Sequence, residues 1–243
     1  MKIVTILVGL FILNFLIFIH ELGHMLCAKA VKVKILEFYI GFGPKLYSKN
    51  INGVDYGIRL IPLGGYVKMD DEQFENESIL KQCIILLGGV CFNFILGLML
   101  YWIYAIFIKH YPIVTALTLG TAEVFNICYI LLSSFISVFI THPDMGALSG
   151  PIGTVNVISD FVSNGIANSI VITILLSMNL TIFNLLPVPA LDGGQIIMRL
   201  FKLIIRKKET FEKFKTVCSI IGFVCIIGLF GICMWNDILG LIK

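Results

Sequence analysis

The feature that most limits what this chain can fold into is a series of long apolar runs. The first, Ile3–Ile19, contains no charged residue, and Ile79–Ile108 exceeds the roughly 20 residues that a helix needs to cross a bilayer. Further runs lie at Val124–Ile140, Ile166–Leu186 and Val217–Leu241. Hydrophobic residues make up 58% of the chain and charged residues 14%, against about 25% charged residues in a soluble domain. The sequence therefore predicts an integral membrane protein.

The charges and cysteines exclude several other classes. A formal net charge of +3 is too small for a protein that binds nucleic acid through its charge, and the hydrophobic content excludes disorder. The seven cysteines lie mostly inside apolar runs and form no Cys-x-x-Cys pair. This argues against both a disulfide framework and a thiolate zinc site.

The first apolar run predicts a retained spanning helix rather than a cleaved signal peptide. A signal peptide would show a basic start and a small-residue cleavage site after its apolar core. Here the run continues directly into His20–His24. We therefore expect a spanning helix over residues 4–30.

Basic residues gather in two segments, and this orients the predicted helices. One group follows the first helix: Lys29, Lys32, Lys34, Lys45, Lys49, Arg59 and Lys68. The other precedes the last helix: Arg199, Lys202, Arg206, Lys207, Lys208, Lys213 and Lys215. Because short loops rich in Lys and Arg stay in the cytoplasm, both groups are predicted inside, with the N- and C-termini outside.

This orientation limits the number of membrane crossings. The predicted helix 79–108 leaves the cytoplasm and 166–186 returns to it. A full crossing by the segment between them would put the second basic group outside. We therefore expect residues 123–140 to form an interfacial or re-entrant helix at the outer face. The predicted fold class is a mostly α, polytopic membrane protein with about four transmembrane helices, the last over residues 217–241.

Residues 31–71 predict a small membrane-associated β-region on the cytoplasmic side. Val33–Ile40 and Val54–Leu60 are rich in β-branched and aromatic residues, and glycine-containing turns lie beside them. An acidic stretch follows, which we interpret as a solvated segment before the second helix. Its members are Asp70, Asp71, Glu72, Glu75 and Glu77.

His20, Glu21 and His24 form the pattern His-Glu-x-x-His near the inner end of the first predicted helix. Residues four apart lie on one face of a helix, so both imidazoles can reach one metal ion. Glu21 lies beside the first imidazole, where it can accept a proton from bound water. Burying these groups in a membrane helix is costly unless they are paired or metal-bound. The alternative is two hydrogen-bonded core histidines with a protonated Glu21.

A catalytic zinc site normally has three protein ligands and one open position. Asp192 follows the returning helix and so reaches the cytoplasmic end, at the predicted depth of His20 and His24. Prolines and the pair Gly193-Gly194 surround it, and irregular backbone at membrane depth is tolerated where it lines a polar cavity. The alternative is that Asp192 caps the next helix. Other candidates are predicted on the outer side: His110, Glu123, His142 and Asp144.

With these motifs the sequence resembles the site-2 protease family of intramembrane zinc metalloproteases. The matching segments follow the family's order along nearly the whole chain: His20–His24, Gly41–Pro44, Pro62–Met69, Ser149–Gly153 and Asn184–Gly194. The resemblance implies that His20, His24 and Asp192 hold Zn²⁺ and that Glu21 is the general base. It also implies that Asn184 binds the substrate or stabilises the oxyanion. The bacterial sporulation and anti-sigma-factor-cleaving branches are the most similar.

The resemblance implies hydrolysis of a peptide bond within or near the transmembrane segment of a single-span membrane protein. Such substrates include an anti-sigma factor, a pro-sigma factor and a signal-peptide remnant. The implied location is the lipid bilayer of a bacterial plasma membrane, with the active site near the cytoplasmic side. No nucleic-acid partner is expected, and the sequence leaves the oligomeric state open.

One departure from the family concerns the PDZ domain that many relatives insert after the second helix. Here only Lys109–Ala122 connects the predicted elements, which is too short for a domain. We therefore expect a single membrane-embedded domain, residues 1–243, without a PDZ domain.

Alternatives remain for the β-region and for the function. An exposed β-edge could bind unwound substrate as an added strand, or the β-region could merely seal the site.

A zinc transporter or sensor would usually carry ligands across the full membrane depth. A structural scaffold would not need Glu21 between the histidines. A third rival is a zinc protease that acts on soluble tails and uses a glutamate as its third ligand. No Glu outside the first motif lies at a matching predicted depth, so the sequence does not support it.

Overall fold

The structure is a computed structural model that describes residues 2–141, 149–205 and 207–242. The helices are α1 (Lys2–Ala30), α2 (Asp71–Asn76), α3 (Ile79–Phe107), α4 (Ile113–Ile136), α5 (Pro151–Ser163), α6 (Ile166–Asn184), α7 (Asp192–Ile204) and α8 (Lys208–Ile242). The strands are β1 (Ile35–Ile51) and β2 (Val54–Met69). His142, Asp144 and Arg206, which were considered above, lie outside the described residues.

Five helices of the described chain are long and apolar enough to cross a membrane, one more than the four spans expected. The extra candidate is Ile113–Phe139, with 27 residues, whereas the apolar pattern predicted only 123–140. The earlier part contains threonines that interrupt the apolar run. Thr118 and Thr121 donate their hydroxyls to main-chain carbonyls one turn back. This pairing accommodates them in the helix.

Other boundaries differ from the predicted ones at the polar ends of the apolar runs. The last long helix, α8, begins at Lys208 rather than near 217. The short helices α2, α5 and α7 were not predicted, because hydropathy alone marks only long apolar segments. Residues 108–112 join α3 to α4.

The predicted β-region forms one antiparallel pair of long, bent strands. Ile51 lies opposite Val54 across a tight turn in which Asn52 and Gly53 both have positive φ. Because the strands bend, Phe38 lies opposite both Tyr56 and Val67. One face of this sheet packs in a buried apolar cluster: Met25, Ala28, Val33, Ile35, Phe38, Val54 and Ile85. The cluster therefore joins the sheet to α1 and α3.

The chain divides into two compact units. We call Ile12–Asn93 with Phe183–Val217 the sheet unit, and Met1–Phe11, Phe94–Ile182 and Cys218–Lys243 the helical unit. Every candidate ligand and catalytic residue named from the sequence motifs lies in the sheet unit.

In the helical unit, one carboxylate holds the start of α5. Asp237 of α8 accepts hydrogen bonds from the backbone N–H groups of Gly150, Ile152 and Gly153, at 2.8–3.0 Å. A Cβ on Gly150 or Gly153 would collide with this carboxylate. The Ser149–Gly153 motif is therefore the docking point for Asp237 within the helical unit.

Candidate metal centre

Glycines bring α1 and α3 close together where the two histidines lie. Gly23 and Gly88 pack backbone to backbone, and a Cβ on either would collide with the other helix. A Cβ on Gly89 would lie 2.5 Å from His24 Nε2 and 2.6 Å from His20 Cε1. The glycine pair of α3 thus leaves the space that the imidazoles occupy.

The two imidazoles are buried and face the same point. Their Nε2 atoms lie 3.1 Å apart, as the four-residue spacing on one helix allows. His24 Nδ1 lies 2.8 Å from the carbonyl oxygen of Ile85. Because a carbonyl only accepts, Nδ1 of His24 carries the hydrogen, and in the neutral ring Nε2 keeps its lone pair.

Asp192 is brought to the same point by the segment between α6 and α7. The backbone from Leu185 to Pro189 folds back over the start of α7, and a Cβ on Gly193 or Gly194 would collide with it. Gln195 donates a hydrogen bond to the carbonyl of Pro189 at 2.6 Å. Asp192 is the first residue of α7 and does not act as its N-cap, which is Leu191. The capping alternative is therefore not what the structure shows.

The three side chains form a ligand set that fits a metal ion. Asp192 Oδ2 lies 3.1 Å from His20 Nε2 and 3.4 Å from His24 Nε2, and the candidate ligand atoms lie within 4.8 Å of one another. That Oδ2 is buried and makes no hydrogen bond of good geometry to the described residues. Two imidazoles and a carboxylate with converging lone pairs are a donor set that suits zinc.

The charge state of Asp192 agrees with this fit. Burial by itself raises the pKa of the Asp192 carboxyl, but the adjacent His20 and His24 side chains lower it to about 2. The carboxyl is therefore ionised at neutral pH and offers a negative ligand.

A cavity of about 320 Å³ opens beside these atoms. Glu21 and Asn184 both line it, and so do Tyr66, Val67 and Met69 of β2. The backbone N–H of Val67 donates a hydrogen bond to the Glu21 carboxylate. All five site residues predicted from the sequence therefore line one cavity, together with residues of β2.

The helix that begins with Asp192 is held further along by an ionic cluster around Glu75. Glu75 Oε1 lies 3.0 Å from Arg199 Nη2 and 2.6 Å from Lys215 Nζ, and Lys202 Nζ lies 3.6 Å from Oε2. Burial raises the pKa of the Glu75 carboxyl, but these three cations outweigh it and hold that pKa below its usual value. The expectation that the acidic stretch is solvated is therefore wrong for Glu75, since its partners come from distant segments.

Comparison with known proteins identifies the family. The model of peptidase family M50 matches residues 8–229. A protein of Campylobacter jejuni, whose name assigns it provisionally to the zinc metalloproteases, is 25% identical over 97% of this chain and 93% of its own length. A similarly named protein of Clostridium perfringens is 25% identical, with 96% and 98% covered. One from Helicobacter pylori is 39% identical over 115 residues, or 41% of this chain and 33% of the relative.

The alignment with the Campylobacter protein runs over 345 positions, more than the 243 residues of this chain. That relative therefore carries segments without a counterpart here. The family match covers most of the chain, including α1, the sheet and the Asn184–Gly194 segment. It confirms the resemblance noted from the motifs: the chain belongs to peptidase family M50, the site-2 protease family of zinc metalloproteases.

Proposed function

We propose that this protein hydrolyses a peptide bond within or near the transmembrane segment of a single-span membrane protein. In this proposal His20, His24 and Asp192 hold Zn²⁺, and Glu21 is the general base. The observation that carries it is the convergence of three lone-pair atoms, drawn from two distant parts of the chain, beside a cavity that Glu21 lines. Relatives named as zinc metalloproteases support the choice of metal.

The chemistry divides between the metal and the side chains. A zinc ion in this site supplies Lewis acidity, which activates water and polarises a carbonyl. Glu21 takes a proton from the attacking water and transfers it to the leaving amine as the carbon–nitrogen bond breaks. The hydrogen bond from Val67 N–H holds the Glu21 carboxylate facing the cavity.

Asn184 is assigned to substrate binding. It ends α6 and lines the same cavity as the candidate ligands. An amide N–H directed at the developing oxyanion stabilises it more strongly in this partly closed site than it would in water. The motif match to the family supports the assignment.

Extended substrate would lie along the edge of β2. Tyr66, Val67 and Met69 line the same cavity as the candidate ligands, and main-chain pairing with a strand edge accepts varied sequences. Met69→Pro should reduce cleavage and leave zinc content unchanged, whereas Met69→Ala, which keeps the backbone N–H, should cleave normally. Equal cleavage by both variants would favour the alternative in which the sheet only seals the site.

The location follows from the charge pattern and the apolar helices. The protein is a multi-pass membrane protein, and we place it in a bacterial plasma membrane with both basic segments and the metal centre on the cytoplasmic side. This requires that only two of the three candidate spans between Lys68 and Lys207, namely α3, α4 and α6, cross the membrane completely. Single cysteines placed at the exposed positions Lys68 and Lys207, in a cysteine-free background, should be labelled from the same side. Labelling from opposite sides would reject this orientation.

A cleavage assay of the purified protein on candidate single-span substrates tests the function. Substrates would include an anti-sigma factor, a pro-sigma factor and a signal-peptide remnant, with a chelator control. Glu21→Gln should keep zinc but lose cleavage, by at least about 100-fold, because it removes the base and no ligand. Glu77→Gln, a change outside the cavity lining at a residue paired with Lys81, is the matched control. A Glu21→Gln protein that cuts like the wild type would reject the proposed base.

Zinc transport is the principal rival function. The candidate ligands cluster at one cavity, whereas a transport path needs ligands along the membrane depth. Protein-dependent zinc uptake into sealed vesicles, together with no cleavage of any substrate tested, would favour transport over proteolysis.

A further inference from the structure

Helix α3 places a different group opposite each imidazole of the metal centre. The carbonyl of Ile85 faces His24 Nδ1 at 2.8 Å, and the side-chain amide of Asn93 faces His20 Nδ1, with its nitrogen at 3.5 Å. Gly89 lies midway and leaves room for both rings. These three α3 residues follow one another at intervals of four, so they share the helix face that meets the histidines.

Asn93 is 0% exposed, in a helix apolar and long enough to cross a membrane. An amide at such a position is costly to bury, so polar side chains in membrane helices usually have a specific partner. The His20 ring is one partner that the structure shows. Asn93 was not singled out from the sequence, because only the crossing of α1 and α3 reveals this contact.

The chemistry of the ring decides which amide atom faces His20. If Nε2 of His20 directs its lone pair at a metal, Nδ1 carries the hydrogen, as in His24. The group that faces Nδ1 must then accept. The separation of 3.5 Å is long for a hydrogen bond, as expected where an amide nitrogen faces a protonated ring nitrogen. Rotating the amide by half a turn exchanges its nitrogen and oxygen and places an acceptor there.

The geometry points to Asn93 as a positioning residue of the metal centre: its amide oxygen accepts from Nδ1–H of His20 and so fixes the tautomer and the ring orientation. Ile85 does the same for His24 through its backbone. The inference rests on the proposed function, because it requires Nε2 of both histidines to bind the metal. Outer partners of this kind typically change metal affinity by about 10–100-fold when they are lost.

Zinc affinity of two Asn93 variants tests the role. Asn93→Leu keeps a similar volume and removes the acceptor, so it should weaken zinc binding by about 10–100-fold in a competition titration with a chromophoric chelator. Asn93→Asp keeps an acceptor at the same place, so its affinity should stay within about threefold of the wild type, since a carboxylate is also a common partner of a ligating imidazole.

Gln82→Leu is the matched control. Gln82 is another fully buried amide of α3, but it donates to the backbone carbonyls of Glu75 and Glu77, away from the histidines. Its loss should lower thermal stability and leave zinc affinity unchanged. An equal loss of zinc affinity in Gln82→Leu and Asn93→Leu would show a general packing effect and overturn the inference, as would a folded Asn93→Leu protein with wild-type affinity.

A measurement on the wild-type protein keeps the inference testable if Asn93→Leu does not fold. The chain contains four histidines, so ¹⁵N-histidine NMR of the zinc-loaded protein in lipid resolves few signals. Both His20 and His24 should show a protonated Nδ1 and a metal-bound Nε2, assigned by single His→Gln variants. Coordination of zinc through Nδ1 of His20 would overturn the inference.

The outcomes also separate this inference from the proposed function. A wild-type protein that binds no zinc rejects both. A protein that binds zinc, cleaves substrate and needs Glu21, but is insensitive to Asn93→Leu, rejects only the role of Asn93.

Discussion

The sheet unit contains two polar clusters that differ in their charged groups. The metal centre brings together two imidazoles and a carboxylate, all offering lone pairs to one point. The cluster around Glu75 brings three cationic side chains to one carboxylate. In the proposed function the first cluster binds a cation, whereas the second already surrounds its carboxylate with cationic side chains.

The helix α7 belongs to both clusters. Asp192 begins it, and Arg199, seven residues later, lies two turns further along on nearly the same face. Arg199 is 3% exposed and also lies over the ring of Phe74. The Glu75 cluster is therefore an anchor for the helix that supplies a candidate ligand. The metal centre is therefore expected to bind an ion, whereas the Glu75 cluster is expected to hold α7 in place.

The largest expected effect is on zinc binding. Asp192→Ala removes a ligand, so zinc affinity should fall by more than about 100-fold, beyond the usual effect of an outer partner. Stability of the metal-free protein should fall by less than the loss in zinc-binding free energy, because only the contacts of Asp192 with the two imidazoles are removed. Equilibrium dialysis and denaturant unfolding of the metal-free protein measure the two effects. Unchanged zinc affinity would contradict the ligand assignment.

Glu75→Gln should show the opposite pattern. It leaves Arg199 buried without its anion, which should lower the free energy of unfolding by about 2–3 kcal/mol, somewhat below the usual range because Glu75 is partly exposed. The folded protein should still bind one zinc ion. Glu77→Gln, which weakens the partly exposed pair with Lys81, is the control and should change the free energy of unfolding far less. Equal effects of the two changes would show that the cluster anchors nothing.

Gly89→Ala should weaken zinc binding by about 10-fold, because the new methyl group must displace an imidazole. Gly228→Ala is the matched control, since a Cβ there meets nothing within 4 Å. It should stabilise α8 slightly, by up to about 1 kcal/mol. Zinc titration distinguishes them, and equal affinity in the two variants would contradict the close approach of Gly89 to the rings.

The smallest effect is a pH dependence of the Glu75 cluster. The folded pKa of the Glu75 carboxyl lies below its unfolded value. Its contribution to stability is therefore complete above the ordinary carboxyl pKa and is lost as the pH falls through the lowered folded value. The difference in unfolding free energy between wild type and Glu75→Gln should shrink over that acidic range. A difference that stays constant to low pH would show that the ionised carboxyl does not stabilise the fold.

The sequence predicted the local and the strongly apolar features of this molecule. His20, Glu21 and His24 are linked by helical spacing, and Asp192 by its predicted depth, so all four could be placed near one cavity before the fold was known. The β-region was predicted from its residue types and turns.

Contacts between distant helices could not be predicted. The approach of Asn93 to His20 and the space at Gly89 depend on how α1 and α3 cross, and no local pattern encodes that angle. Glu75 was expected in solvent because its neighbours are acidic, yet its partners come from α7 and α8. The early part of α4 was missed because a hydropathy scale counts threonine as polar. In the structure the threonine hydroxyls donate to main-chain carbonyls of the same helix, which reduces their polarity.

X-ray absorption at the zinc edge of the purified protein tests the central claim most directly. Two imidazoles and one carboxylate at a single ion predict a first shell of nitrogen and oxygen only, with scattering from two imidazole rings, one of which should disappear in His20→Ala or His24→Ala. A sulfur shell from any of the seven cysteines, or an imidazole signal that is unchanged in both variants, would contradict the account.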